Sequence, residues 1–396
     1  MKSVKEIVDS WHAETYRRFP VVFERGKGAY LYDSSGRVYL DFLSGISVTI
    51  LGHCDDEVNE AIIRQVENLL HVSNLFYIPS QAALLEELGE TLPWKGRVFL
   101  TNSGAESIEG ALKLVRRYAS LTGNGSKKII TFRGGFHGRT YGSLTATAQE
   151  KYHEGFEPML PGFVYVDPED GEGFERALEG GAAAVLFETI QGEGGVRPLS
   201  DEFLSFVCRR AREAGALVVC DDIQAGLGRT GRFYSFEERG IVPDVITLAK
   251  GLANGLPLGA FIARDEVFRV LGPGTHGSTF GGNPVSCAAA SVVVRRVRDE
   301  VFLSRVREVG EYLRNKLEGV RGKSQRIVEV RGRGLMWGIV LDVPGKEVVN
   351  RCLERGLIVN CTEEKVIRLL PPLIVTEEQV DEAVSILEDV IGGLNV

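Results

Sequence analysis

Across the middle of this chain, short apolar runs alternate with helical stripes, and that alternation restricts the fold more than any other feature. Val98–Leu100, Lys128–Phe132, Ala182–Phe187, Ala216–Cys220 and Val245–Ala249 are short, largely apolar and bounded by polar residues, so they read as buried strands. Between the first two, Ile108, Ala111, Leu112, Val115 and Tyr118 recur at helical spacing and form one stripe. Strand and helix in turn predict an α/β fold with a mainly parallel sheet, because the crossovers place helices on both faces. The last third reads differently. A long helical pattern runs from Asn283 through Leu317, and Gly334–Leu341 and Val366–Leu369 then read as strands separated by a helix. The string GAYLYDSSGRVYLDF, residues 28–42, reads as a hairpin expected to pack with that end. At 396 residues the chain exceeds what one core usually serves. The expected division is an N-terminal segment (1–45), a large domain (46–282) and a smaller α+β domain (283–396), with the N-terminal segment joining the small domain.

Ligands of open α/β sheets bind beyond the carboxyl ends of strands, and four such ends carry polar residues here. Thr101-Asn102-Ser103-Gly104-Ala105-Glu106 follows the first strand and opens the striped helix. Its free N–H groups suit a phosphate, although the same residues also suit an ordinary capped helix. Asp221 and Asp222 follow Cys220 and need a partner: a cation, a protonated heterocycle or a cap. Lys250 closes an apolar strand in VITLAKGLANG. A desolvated amine there is a nucleophile toward aldehydes, and a snorkelling surface lysine is the alternative. Glu188, Gln191 and Glu193 follow Phe187 and form a polar rim. A phosphate cup, a carboxylate and an amine nucleophile together match what pyridoxal phosphate (PLP) requires.

Gly226-x-Gly228-x-x-Gly231 formally fits a dinucleotide fingerprint. Its context opposes that reading, because two acids stand between strand and glycines and no clear helix start follows. A net charge of -8 argues against a nucleic-acid partner. No apolar run is long enough to span a bilayer, and the N-terminus lacks the apolar core of a signal peptide. Six cysteines without a CxxC pair read as reduced, mostly buried thiols of a cytoplasmic protein. The histidines show no metal-ligand spacing, so no metal is expected.

Longer strings surround these residues: LGHC (51–54), TNSGAES (101–107), GGFHGRT (134–140), ETIQGEGGV (188–196), CDDIQAGLGRTG (220–231), LAKGLANGLPLGA (248–260), HGSTFGGNP (276–284) and VIRLLPP (366–372). Together, over nearly the whole chain, they resemble the class III (ornithine-type) aminotransferases, most closely the acetylornithine subgroup. The resemblance implies fold type I of the PLP-dependent transferases, with a large mainly parallel domain and a smaller α+β one. It implies that Lys250 is the Schiff-base lysine and Asp221 the partner of the ring nitrogen. Phe136 and Ile223 resemble the residues on the two ring faces, and Gln224 the one near the phenolic oxygen. Ser103, Gly104 and Ala105 resemble the phosphate-binding turn, and His137 and Ser278 complete the cofactor set. Thr279 resembles a threonine that reaches the phosphate of a neighbouring subunit, which implies a homodimer with shared sites. Arg139 and Arg368 resemble the substrate carboxylate clamps, and Glu193 the acid that pairs with Arg368 and swings aside for 2-oxoglutarate.

The implied reaction moves the ω-amino group of N-acetylornithine to 2-oxoglutarate, in arginine biosynthesis. Other donors (ornithine, 4-aminobutyrate, a lysine-pathway derivative), a PLP-dependent aminomutase and a silent PLP-fold binding protein are the alternatives. The chain departs from the family pattern at Asp222, where a glutamate is usual, in SGISVTILGH (44–53), which replaces a stretch with asparagine near Thr49, and at Ser107-Ile108, which replaces Ala-Asn.

Overall fold

The computed structural model describes residues 2–122 and 125–394; Met1, Gly123, Asn124, Asn395 and Val396, including the outer limits of the expected domains, lie outside it. In chain order the strands are β1 (Phe23–Lys27), β2 (Tyr30–Asp33), β3 (Val38–Asp41), β4 (Gly96–Thr101), β5 (Ile129–Phe132), β6 (Phe163–Val166), β7 (Ala184–Phe187), β8 (Ile190–Gln191), β9 (Arg197–Pro198), β10 (Leu217–Asp221), β11 (Val245–Leu248), β12 (Gly259–Arg264), β13 (Ile327–Arg333), β14 (Met336–Leu341), β15 (Leu357–Ile358), β16 (Asn360–Thr362) and β17 (Val366–Leu369). The large sheet has the order β4-β12-β11-β10-β7-β5-β6. From β11 through β6 every pairing is parallel, and β12 alone runs antiparallel to its neighbours β11 and β4. All five strands read from the sequence lie in this sheet. Four of them (β5, β7, β10 and β11) are buried at every residue, because helices cover both faces of a parallel sheet. The striped segment forms the helix Gly104–Leu121, with Ile108, Ala111, Leu112 and Val115 buried.

Strands β6 and β12 are additions to the sequence reading. β12 follows β11 through a single 3-10 turn, Lys250–Ala253, and is an antiparallel return. The long helical pattern from Asn283 is corrected to two helices, Pro284–Val297 and Glu300–Lys323. The break falls at Asp299, whose carboxylate accepts from Val301 N (2.7 Å) and Phe302 N (3.4 Å) and so caps the second helix.

The expected hairpin forms as β2 and β3, and β15 then joins β3 in parallel, pairing Leu357 with Leu40 and Ile358 with Asp41. A second sheet of order β13-β14-β17-β16 is antiparallel throughout. Where β3 leads into the large sheet's territory, Ser44, Gly45, Ile46 and Ser47 all take left-handed φ values of 52, 61, 68 and 63°. Three side-chain-bearing residues in this conformation are strained and need outside support. Asp41 Oδ1 accepts from Leu43 N and Ser44 N (both 2.9 Å), and Ser44 Oγ donates to Leu370 O (2.7 Å). His53 Nε2 lies 2.8 Å from Asp41 Oδ2, so this histidine serves the turn.

Four of the six cysteines are buried, with Cys54 exposed and Cys361 partly so. Among the described residues no helix is long and apolar enough to cross a membrane, and no group of His, Cys, Asp or Glu is placed to hold a metal ion.

Candidate active site

The carboxyl ends of β4, β7, β10 and β11 converge, as the strand-end reading expects, and the end of β5 joins them. They enclose a cavity of about 410 Å³. At the end of β4, Ser103 caps the long helix by accepting from Glu106 N (3.2 Å). Gly104 and Ala105 follow, both lining the cavity, with N–H groups that no intrahelical carbonyl can satisfy. A side chain at Gly104 would bring its Cβ within 3.0 Å of Ile223 Cδ1, so glycine lets Ile223 close down on this turn.

The two acids after β10 separate. Asp221 enters the cavity; its Oδ2 lies 2.7 Å from His137 Nδ1, and its Oδ1 accepts from Ile223 N at 3.2 Å. Burial alone would push the His137 imidazole down, but its bond to Asp221 and the negative charges of Asp221 and Glu188 together outweigh that, and the net shift is upward. His137, fully buried, therefore acts here as the partner that orients Asp221. Asp222 does not line the cavity. Its carboxylate accepts from Ser235 N (3.1 Å) and from the Ser235 hydroxyl, and burial pushes it up to about 7.

Lys250 follows β11 with φ at 45°, a strained value for a residue with a side chain. Its amine lines the cavity without a hydrogen-bond or ion-pair partner among the described residues. Burial pushes its pKa down, against the opposing charges of Glu193 and Asp221. An amine held in this way gives up its proton more readily than a solvated lysine and is the better nucleophile for it.

Phe136, Ile223, Gln224 and Arg139 also line the cavity. The Arg139 guanidinium lies over the Tyr152 ring, 4.1 Å from its centroid, and Tyr152 meets Phe136 edge-on at 5.8 Å. Arg368 is fully buried one layer away. Its Nη1 pairs with Glu193 Oε1 (2.5 Å) and donates to Gln224 Oε1 (3.0 Å), while its Nε donates to Asn360 Oδ1 (3.1 Å). Burial raises the Glu193 carboxyl, but Arg368, with Lys250 and Gln224 adding to it, outweighs burial and the net shift is downward. Ser278 and Thr279 are not brought into this cavity. They line a separate one of about 740 Å³, with Asn102 Nδ2 donating to Ser278 Oγ at 3.1 Å. Near Thr49, it is Val48 that lines the cavity.

Two contributors were missed. Glu188, read only as part of a polar rim, accepts from Phe136 N (2.9 Å) and Gly192 N (3.1 Å) and ties together the loops carrying Phe136 and Glu193. Burial, with Asp221 adding to it, pushes its carboxyl up to about 7. Its signal was its place as the first polar residue after a fully buried strand. Tyr152 gave no signal, since its role depends on a loop folding back. The glycine fingerprint also resolves: a Cβ at Gly226 would meet Asp222 Oδ2 at 2.4 Å, so this glycine makes room for a carboxylate.

Open amides at a helix start suit a phosphate, a buried carboxylate suits a protonated ring nitrogen, and a partnerless amine suits an aldehyde. The donor set therefore fits PLP. The chain belongs to the class III aminotransferases: residues 11–391 match the family described as aminotransferase class-III, and it is a PLP-dependent transaminase. Within that class it is 49% identical to an acetylornithine aminotransferase of Aquifex aeolicus, over 95% of this chain and 98% of the relative. It is 46% identical to one from Caldanaerobacter subterraneus, over 96% and 97%. Among solved structures it superposes on an ornithine aminotransferase of Toxoplasma gondii with a TM-score of 0.95, at 33% identity, covering 100% of this chain and 96% of the other. An N-acetylornithine aminotransferase from Stenotrophomonas maltophilia gives a TM-score of 0.84 at 36% identity, with 98% of each chain covered.

Proposed function

We propose that this enzyme moves the ω-amino group of N-acetylornithine to 2-oxoglutarate, giving N-acetylglutamate semialdehyde and glutamate, as a cytoplasmic step of arginine biosynthesis. The observation that carries the reading is the pairing of buried Arg368 with half-buried Glu193 beside Gln224, with Arg139 at the cavity free of any acid among the described residues. Arg139 takes the donor's α-carboxylate, because a guanidinium fork pairs a carboxylate at two points. While Glu193 neutralises Arg368, the pocket favours a substrate whose other end is uncharged. When Glu193 moves aside, Arg368 becomes a second clamp and a diacid fits. The names of the relatives from A. aeolicus and C. subterraneus support the same donor.

In this reading Lys250 would hold the cofactor's aldehyde, Ser103, Gly104 and Ala105 its phosphate, and Asp221 its ring nitrogen. Phe136 and Ile223 would cover the ring faces, with Gln224 near the phenolic oxygen. When bound, PLP supplies an electron sink for the carbon that loses its proton. The Lys250 amine takes that proton and returns it, and burial favours its uncharged form for the task. Asp221 holds negative charge at the ring-nitrogen end, and His137 fixes its orientation. Ser278 and Thr279 serve the site of a second copy, in a homodimer with shared sites. Residues 1–45 and 283–396 form the smaller body and 46–282 the larger.

A substrate screen that follows the visible band of the bound cofactor tests the proposal. N-acetylornithine should bleach the band faster than ornithine, 4-aminobutyrate or lysine derivatives, and faster bleaching by unacetylated ornithine would refute the donor.

A further inference from the structure

Arg229 is, with Arg368, the largest fully buried side chain among the described residues, and it lies outside the cavity. No carboxylate pairs with it among the described residues. Its Nε donates to Ser47 Oγ (3.0 Å), and its Nη1 donates to Leu335 O (3.0 Å) and Pro371 O (2.5 Å). Nη2 has no partner among the described residues. Burial pushes this guanidinium down from its ordinary value, with no nearby acid to hold it up. A buried cation held only by neutral oxygens is a costly way to join segments that apolar packing could join.

Each of its three anchors leads to Arg368. Ser47 Oγ also donates to Gln224 O (3.3 Å), and the Gln224 side chain accepts from Arg368. Pro371 lies three residues beyond Arg368 in the same run of chain. Leu335 precedes β14, whose Gly338 pairs with Arg368 in the sheet. The clasp at Leu335 is reciprocal, since Leu335 N donates to Arg229 O at 2.9 Å. Gly334 makes that approach possible: its φ is +56°, and a Cβ there would lie 2.6 Å from Arg229 O. Arg229 thus grips three surfaces around Arg368 without a hydrogen bond to Arg368 itself.

We propose that Arg229 is a positioning residue for the 2-oxoglutarate half of the reaction: by locking Ser47, Leu335 and Pro371 it aims Arg368 at the second carboxylate of a diacid. This rests on the reading of Arg368 as the clamp that Glu193 uncovers. The donor half, which leaves Arg368 paired with Glu193, depends on it far less.

The two half-reactions are separable in single turnovers, with N-acetylornithine bleaching the cofactor band and 2-oxoglutarate restoring it. Arg229→Lys should weaken the apparent affinity for 2-oxoglutarate by about tenfold, and Ser47→Ala, which removes one of the arginine's anchors, by about threefold, both within the scale of one lost hydrogen bond. The donor half-reaction and cofactor retention should stay within about twofold, well below the loss of one such bond. Equal impairment of both halves, or of neither, would overturn the inference, because a merely structural arginine has no reason to prefer one. If Arg229→Lys fails to retain cofactor, Ser47→Ala decides alone, with Arg229 left in place. Arg368→Lys is the control. If it leaves 2-oxoglutarate binding intact, the clamp reading falls and the inference with it. If it is selective while the other two are not, the inference alone falls.

Discussion

At the scale of single residues, Asp221 and Asp222 are chain neighbours that the strand sends to opposite sides. The first meets His137 in the cavity, and the second is buried against Ser235. The substitution of aspartate for the usual glutamate thus falls on the side away from the cavity. Burial raises Asp222 from 3.8 to about 7, so the folded state holds its proton more tightly than the unfolded one. The stability tied to that proton is present at acid pH and is lost as pH rises from about 4 to about 7. Asp222→Asn should therefore gain on the parent in urea midpoint as pH is raised from 5 to 8; a pH-independent gap would contradict the shift. Lys250→Ala should abolish turnover while leaving the fold intact, as judged by single-turnover assay and circular dichroism. Asp221→Ala should cost roughly 10²–10³ in rate, the usual range for losing one preorganised electrostatic partner. Lys250 and Asp221 were legible in the sequence because each ends an apolar strand, where a charge is conspicuous. Glu188 was legible as a strand-end acid but not as a clasp, since spacing does not reveal which backbone amides a carboxylate will meet.

At the scale of elements, five strands of the large sheet were readable as short apolar runs, whereas β6, at the sheet edge and mostly half-buried, and β12, an antiparallel return, were not. The helix break at Asp299 turns on a single capping carboxylate inside continuous helical periodicity. Asp299→Ala should cost about 1 kcal/mol in urea denaturation, the typical worth of such a cap. No loss would mean that the two helices are set by packing instead. The left-handed turn at residues 44–47 had no sequence signature, since only Gly45 among the four favours that conformation. Asp41 supports it locally, but its other supports, Leu370 and Arg229, are distant in sequence, and local patterns do not announce those.

At the scale of the whole molecule, Leu75, Phe76 and Tyr77 are 87%, 62% and 106% exposed in one chain, beside Phe280 and near the cavity that holds Ser278 and Thr279. So large an apolar surface fits burial against a second copy. Leu75→Asp combined with Phe76→Asp should shift sedimentation toward monomer and reduce activity in parallel; a fully active dimer would argue for another contact surface. The parallel pairing of β3 with β15 has a separate consequence for how the protein is made. Ribosomes add roughly 5–20 residues per second, so β3 waits on the order of tens of seconds for its partner strand to be translated. By then the segments bearing Lys250 and Asp221 have already emerged, while Arg368 is still to come. The reactive amine and its acid are thus in hand before the group assigned to the diacid.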